Sequence, residues 1–337
     1  MKTAVFAFTE RGKALARRVA AELSGEIALF TPPRLAGEGF EAYAGALPDF
    51  VGGRFDSDAL VFVGAAGIAL RAVAPHVASK RSDPAVLCLD EAGRFVIPLL
   101  SGHIGGANAL ARRLAAALDA TPVITTATDV NGRFSVDAWA AVHDMAITSM
   151  ALAKRVSAEI LVRDIPFWSD GEKPDRLAEG LVWAEGGALG VCVSVHGLKP
   201  FDDTLLLAPR ALQLGIGCRR GTPPEAAEAA IQKVFSEHNL RMEAVKGVAS
   251  IDVKADEAGL LECCRRCGWP ITFYSAEQLN AVPGCFSTSE FVRNTVGVDN
   301  VCERAAAASG GNLIVGKTAL NGVTVAVAEM KWGIEFG

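Results

Sequence analysis

The feature that most constrains this chain is a rhythm of short apolar run, glycine-bearing turn and helix, repeated along much of its length. Residues 3–8 read as a strand, and 12–23 as a helix with Leu15, Val19 and Leu23 at helical spacing. Strand-like runs recur at 26–30, 59–63, 85–89, 94–99 and 122–125, with helical stretches between several of them, most clearly at 105–118. Strands alternating with helices predict mostly parallel sheets covered on both faces, the α/β class.

The rhythm breaks in the middle. Residues 137–157 read as helical, and short strand-like runs follow at 159–162, 181–184, 190–195 and 204–208, separated by turns such as Glu185-Gly-Gly187. It resumes with strands at 212–217, 245–251 and 271–274 and final strands at 312–316 and 322–328. Thr222-Pro-Pro-Glu225 reads as a capping box opening a helix, and Ser275 and Ser287 as caps of short helices. The expected organisation is therefore an α/β domain at 1–136, a small α+β middle module at 137–210 and a second α/β domain at 211–337.

Composition removes several function classes. With 33 basic and 38 acidic residues the net charge is −5, which argues against nucleic acid as a partner. Apolar runs such as Ala59 to Leu70 are too short to span a membrane, which needs roughly 20 residues. The start, Thr3 to Phe8 followed by Thr9-Glu-Arg-Gly-Lys13, reads as a first strand rather than a targeting signal. Eight cysteines in a chain this long suggest free thiols in a reducing cytoplasm. Cys264 and Cys267 have C-x-x-C spacing, but the stretch reads as helix and no second pair completes a metal site.

Polar residues gather at strand ends. Gly64-Ala-Ala-Gly-Ile68 follows the strand at 60–63, so backbone N–H groups near Gly64 and Gly67, with Arg71 one turn on, suit an anion; a tight turn beside an exposed arginine fits equally. Ser101-Gly-His-Ile-Gly-Gly-Ala-Asn108 joins Gly102, Gly105, Gly106, Ser101 and Asn108 to His103, whose reference pKa suits proton transfer. His103 would otherwise cap a helix or hydrogen-bond a ligand. Thr125-Thr-Ala-Thr-Asp129, with Thr125, Thr126 and Asp129, points to the same rim or to local turn bonding. Lys80 and Asp83 carry charge in the loop before the strand at 85–89. In the last third, Leu214-Gly-Ile-Gly-Cys-Arg-Arg-Gly221, with Gly217, Arg219 and Arg220, suits carboxylates or phosphates, and Lys254 and Lys317 add cations at strand ends. Nucleotide-binding, serine-hydrolase and zinc-protease motifs are absent.

Three of these stretches, Gly64 to Arg71, Pro98-Leu-Leu-Ser-Gly-His-Ile-Gly-Gly-Ala-Asn108 and Val123-Ile-Thr-Thr-Ala-Thr-Asp129, resemble the amino-terminal region of the CbiG family, as does Lys80 to Val86 with Asp83-Pro84. Leu214 to Thr222, Ser250-Ile-Asp-Val-Lys254, Asp256-Glu257, Gly297 to Glu303, Lys317 and Gly322 to Ala326 resemble the carboxyl-terminal domain that this family shares with CobE-type proteins. One departure stands out: where the family usually has a Val-x-Glu-Pro-type run, Val301-Cys-Glu-Arg304 keeps Glu303 and replaces the proline by Arg304.

The resemblance implies a cobalt-precorrin-5A hydrolase of anaerobic cobalamin (vitamin B12) biosynthesis, opening a δ-lactone and releasing acetaldehyde to give cobalt-precorrin-5B. On that reading His103 is the base, with Ser101 and Asp129 beside it. Backbone N–H groups from Gly102 to Gly106 are oxyanion donors, and Arg71, Lys80, Lys254 and Lys317 meet the substrate's carboxylates. The cobalt-tetrapyrrole is the expected partner, with neighbouring pathway methyltransferases and a homodimer as further partners. Cobalt arrives in the substrate, so no cofactor or metal site of the protein's own is expected. Two other readings stay open: a non-catalytic corrinoid carrier of the same pathway, and an unrelated α/β enzyme acting on a phosphorylated metabolite.

Overall fold

Val5, Val61 and Leu87 face one side of a seven-stranded sheet, Phe6, Phe62 and Cys88 the other, and all six are buried. This is why the strands read as continuous apolar runs rather than alternating ones. The structure, a computed structural model, describes residues 1–79 and 82–336. It forms two compact units, Met1–Ala141 and Val142–Gly337.

The first unit contains β1 (Lys2–Ala7), β2 (Glu26–Thr31), β3 (Glu41–Ala42), β4 (Ala59–Val63), β5 (Ala85–Leu89), β6 (Phe95–Leu100) and β7 (Thr121–Pro122), ordered β3-β2-β1-β4-β5-β6-β7. Its helices are α1 (Glu10–Ala21), α2 (Leu47–Gly52), α3 (Ala66–Val73), α4 (Ala107–Leu118) and α5 (Ala127–Val130), with α6 (Val136–Val142) following. Leu15 and Val19 of α1 and Leu114 of α4 close over Val5, Val61 and Leu87. On the other face Phe6 stacks on Phe62 at 4.9 Å between ring centroids, beneath Ala69 and Val73 of α3. Such ring pairs add about 0.5–1.5 kcal/mol to the area they bury.

Every neighbouring pair in this sheet is parallel except β5–β6. A hairpin at 90–94 reverses the chain: Asp90 Oδ1 accepts from the N–H groups of Arg94 and Phe95, each at 2.8 Å, and Gly93 takes φ +67°. The carboxyl end of β6 therefore lies at the edge where β5 begins, with Leu100 paired to Val86. The loop after β4 leaves from the opposite edge, where the Gly64 N–H bonds the Leu89 carbonyl at 2.8 Å. The expectation that residues 64–71, 101–108 and 125–129 share one rim is thus corrected. The last two do, because β7 runs parallel to β6, whereas the Gly64 turn does not.

The second unit holds two five-stranded sheets. One contains β8 (Met145–Ile147), β9 (Ile165–Ser169), β10 (Leu181–Trp183), β11 (Leu189–Val193) and β12 (Asp203–Pro209), ordered β10-β9-β11-β12-β8 and parallel except at β8, with α7 (Met150–Glu159) on it. The run at 159–162 ends α7 rather than forming a strand, and β9 contains Pro166, which hid it from the strand pattern.

The other sheet contains β13 (Leu212–Cys218), β14 (Val245–Ile251), β15 (Ile271–Tyr274), β16 (Asn312–Leu320) and β17 (Val323–Glu329), ordered β15-β14-β13-β17-β16. Strands β13 to β15 are parallel, and β17 is antiparallel to both its neighbours. Its helices are α8 (Pro224–Glu237), α9 (Ala258–Cys267), α10 (Ala276–Ala281), α11 (Glu290–Val296) and α12 (Val301–Ala307). Val195 and Ala208 pack in the same core as Leu212 and Leu214, so the two sheets share an interior. The expected caps are adjusted here. Thr222 is not the cap of α8, since its hydroxyl donates to the Arg219 carbonyl at 2.7 Å, and α11 is capped by Ser289 rather than Ser287. The capping box at Ser275 is present. No helix among the described residues is long and apolar enough to cross a membrane.

Candidate active site

The loop at 101–106 is shaped by close packing. Ser101 has φ +57°, and its buried hydroxyl donates to the Asp83 carbonyl at 2.9 Å, tying the end of β6 to the loop before β5. A Cβ on Gly105 would sit 2.4 Å from the Ser101 Cβ, and Gly106 takes φ +78° to start α4. The Gly106 N–H bonds the His103 carbonyl at 2.9 Å and is withdrawn from any oxyanion role. The N–H groups of Gly102, His103, Ile104 and Gly105 have no acceptor among the described residues.

His103 projects from this loop onto Asp129, with Nε2 2.9 Å from Oδ2 and side chains only 20% and 15% exposed. The same Oδ2 accepts from Asn108 Nδ2 at 3.0 Å and from Thr126 Oγ1 at 2.5 Å, while Arg112 Nη2 donates to Oδ1 at 2.6 Å. Asn108 Nδ2 also reaches Thr126 Oγ1 at 2.9 Å. Burial pushes the Asp129 carboxyl up, but the Thr126 hydroxyl, the Arg112 guanidinium and the His103 ring outweigh it and hold it down at about 2. Asp129 is therefore an ionised anchor at neutral pH. An ionised carboxylate can only accept, so Nε2 of the ring donates to it and Nδ1 is the ring nitrogen left for a ligand.

The structure thus brings His103, Asn108, Thr126 and Asp129 together, and Gly102 packs against them, since a Cβ there would lie 2.8 Å from Asn108 Oδ1. Thr125 is exposed beside them. Asp83 spends its carboxylate on the N–H groups of Ala78 and Ser79 at 3.0–3.2 Å, capping its own loop. Gly64, Gly67 and Arg71 stand at the other sheet edge, where Arg71 reaches only the Gly67 carbonyl among the described residues, at 3.4 Å. Lys80 lies outside the described residues. Sequence reasoning missed Arg112 as a site residue. Its signal was the four-residue spacing from Asn108 on a helix, which puts both on one face.

In the second unit, Gly217, Arg219, Lys254 and Lys317 line one cavity of about 680 Å³ at the carboxyl ends of β13 and β14, joined by Arg220. Lys254 is 13% exposed and pairs with buried Glu257 at 3.4 Å, and Glu257 also accepts the Gly221 N–H at 2.8 Å. Glu303 does not line the cavity. Its buried carboxylate accepts from the Ser287 N–H and hydroxyl at 2.7 and 3.0 Å and from the Lys317 N–H at 2.7 Å, so it holds the strand that carries Lys317. The Arg304 that replaces the usual proline bonds Asp299 at 2.9 Å and the Leu279 carbonyl at 3.2 Å, and covers the Phe286 ring at 4.8 Å. No group of three or more His, Cys, Asp or Glu among the described residues could hold a metal ion.

Two family models match the chain, Cobalamin synthesis G N-terminal over residues 51–129 and Cobalamin synthesis G C-terminus over 212–328. It is 37% identical over 339 aligned positions to the cobalt-precorrin-5A hydrolase of Salmonella typhimurium, covering 96% of each chain. The chain belongs to the CbiG family. A second relative, the cobalt-precorrin-5A hydrolase of Priestia megaterium, is 31% identical over 86% of this chain and 84% of its own. Protein CobE of a Sinorhizobium species is 32% identical over 36% of this chain and 81% of its own, which supports the CobE-like part of the resemblance. The N-terminal CbiG match covers the His103–Asp129 cluster, and the C-terminal match covers Arg219, Lys254 and Lys317.

Proposed function

We infer that this chain is a cobalt-precorrin-5A hydrolase. It opens the δ-lactone of the contracted cobalt-tetrapyrrole and releases acetaldehyde, giving cobalt-precorrin-5B in the anaerobic route to cobalamin. Family membership and the near full-length relatives named for this reaction support it. The observation that carries the chemistry is the His103–Asp129 pair, held by Asn108, Thr126 and Arg112.

Two bonds are cleaved. His103 Nδ1 takes a proton from water as its oxygen attacks the lactone carbonyl. The tetrahedral intermediate collapses by expelling the ring oxygen, which receives that proton and becomes the hydroxyl of a hydroxyethyl group. The N–H groups at 102–105, which have no acceptor among the described residues, suit the developing oxyanion. Deprotonation of the new hydroxyl then breaks the C–C bond as acetaldehyde forms, and the electron pair passes into the conjugated imine system of the macrocycle. Hydrolysis followed by this retro-aldol step needs no external electron donor or acceptor, so the chemistry calls for no cofactor beyond the cobalt the substrate carries. Asp129 and Arg112 are positioning residues in this scheme, and Ser101 supports the loop.

The family reading also brings a cytoplasmic location, hand-over to neighbouring methyltransferases and a homodimer. The decisive experiment incubates the protein with cobalt-precorrin-5A, traps acetaldehyde and follows the mass of the macrocycle. Turnover that is lost in H103A with the fold intact supports the assignment, and undiminished acetaldehyde release by H103A removes His103 from it.

A further inference from the structure

Asp170 and Ser194 are the first residues beyond β9 and β11, at the carboxyl edge of the sheet ordered β10-β9-β11-β12-β8, where Ser169 pairs with Val193. From β9 the chain goes outward to β10 on one side, and from β11 to β12 on the other. The space beyond these two strand ends is the topological switch point, the place where open α/β sheets take their ligands.

A hydrogen-bonded relay is built there. The buried Ser194 hydroxyl accepts the backbone N–H of His196 at 2.8 Å and donates its proton to Asp170 Oδ2 at 2.6 Å. The same Oδ2 lies 3.1 Å from His196 Nδ1. A carboxylate only accepts, so Nδ1 carries the proton and the Nε2 lone pair is left for a ligand. The His196 side chain is 36% exposed, and its Nε2 has no partner among the described residues. Ser169 ties the two loops together: its hydroxyl donates to the Val193 carbonyl at 2.9 Å and accepts the Gly171 N–H at 3.0 Å. This is not a nucleophile activated by imidazole, because the Ser194 proton goes to Asp170 rather than to His196.

An imidazole whose second N–H is held by a carboxylate is the arrangement that orients metal-ligating histidines and raises their basicity. A free ion is not what it suits. No group of three or more His, Cys, Asp or Glu among the described residues could hold a metal, so an aqueous cation would gain a single protein ligand here. One imidazole is enough only for a metal that arrives with its other positions filled, inside a ring of in-plane nitrogens with an axial position open. Trp332 packs on Gly171, where a Cβ would come within 2.7 Å of the indole, so an aromatic side chain stands beside the loop that carries Asp170.

We propose that His196 is an axial ligand for a ring-bound transition metal, with Asp170 and Ser194 as its positioning residues. Nε2 gives its lone pair to the metal and an axial water leaves; no electron changes hands. The imidazole reads the metal and not the periphery of the ring, which separates metallated from metal-free macrocycles. Identifying the natural metal with the cobalt of the proposed substrate rests on the hydrolase reading above; axial ligation by His196 does not.

The test uses the full-length protein with cobalt(II) uroporphyrin, followed by electron paramagnetic resonance, and metal-free uroporphyrin as the control. On wild type the cobalt signal should be split by one axial nitrogen, and histidine labelled with heavy nitrogen should change that pattern. H196A should lose the splitting and bind the cobalt ring at least about tenfold more weakly, while its affinity for the metal-free ring stays at the wild-type level. D170N should keep the splitting and weaken cobalt-ring binding by roughly 10–100-fold, the usual cost of disturbing the carboxylate behind a metal-bound histidine. H103A should keep both. A wild type without nitrogen splitting, splitting that survives in H196A, or metallated and metal-free rings weakened equally by H196A each overturns the proposal. Turnover of cobalt-precorrin-5A without nitrogen ligation would sink this proposal and leave the hydrolase reading standing; ligation without acetaldehyde release would do the reverse.

Discussion

Arg112 takes the oxygen of Asp129 that His103 leaves free, at 2.6 Å to Oδ1 against 2.9 Å from His103 Nε2 to Oδ2. The carboxylate is thereby held at both ends, and the imidazole cannot rotate without breaking its bond to an anchored partner. R112Q should lower kcat by about tenfold with little change in KM, because an orienting contact is lost while the base is kept. A much larger loss that R112K restores only in part would assign the guanidinium a direct contact with substrate. An unaltered kcat would show that Asn108 and Thr126 suffice.

The same anchoring makes stability depend on acid. The Asp129 carboxyl is held down from 3.8 to about 2 in the folded chain. Its stabilisation is therefore complete above the ordinary carboxyl value and is lost as pH falls through about 4 towards 2. A shift of this size corresponds to about 2 kcal/mol at neutral pH. D129N should lower Tm at pH 7, and the gap to wild type should narrow as pH is taken down towards 3. A gap constant with pH would mean that the charge of Asp129 contributes nothing to it.

The histidine loop, the threonine-aspartate loop and the C-terminal cations were legible in the sequence because each sets polar residues and glycines at the end of an apolar run, where packing alone does not need them. Which loops meet was not. That depends on the direction of β6, and Leu89 to Phe95 carried the information: two apolar runs separated by five residues including Gly93, the spacing of a hairpin. Reading β6 as one more parallel strand put Gly64 and Arg71 on the wrong rim. The role of Glu303 was hidden for another reason. A glutamate whose neighbours in sequence suggest a ligand contact is taken up by backbone donors from Ser287 and Lys317, both distant along the chain.

Glu303 accepts three donors in a buried setting, and an amide in its place would turn an –NH₂ towards some of them. E303Q should cost about 2–3 kcal/mol, the usual penalty for a mismatched buried donor, read as a lower Tm. It should also loosen the strand that carries Lys317. An E303Q protein of wild-type Tm would show that the Ser287 loop moves away without cost.

Arg304 joins α12 to the end of α10, and through Asp299 to Arg293 on α11, which carries the cavity wall at Val292 and Val296. Removing it leaves the Asp299 carboxylate with Arg293 alone among the described residues, and leaves the Leu279 carbonyl with only the Val282 N–H at 3.3 Å. R304A should lower Tm and weaken substrate binding together, while acetaldehyde release at saturating substrate stays near wild type. R304P, which brings back the residue the family usually carries, separates two roles for the side chain. Recovery of Tm by R304P would make proline an alternative brace, whereas R304P as unstable as R304A would show that the rest of this chain has come to depend on the guanidinium.

Gly215 lies where α12 meets β13. A Cβ there would stand 1.8 Å from the Cys302 carbonyl oxygen and 2.5 Å from the Ala306 nitrogen, both backbone atoms with no rotamer to escape into. G215A must therefore push the whole helix outward, at a cost of at least about 3 kcal/mol on the scale of core overpacking. Because Val301 and Cys302 line the cavity, substrate binding should fall with Tm. Gly186 is the control: it has open space around its Cβ position and no unusual φ, so G186A should leave both quantities unchanged. If G215A and G186A melt alike, α12 is not held against β13 by contact, and the cavity floor is softer than its packing implies.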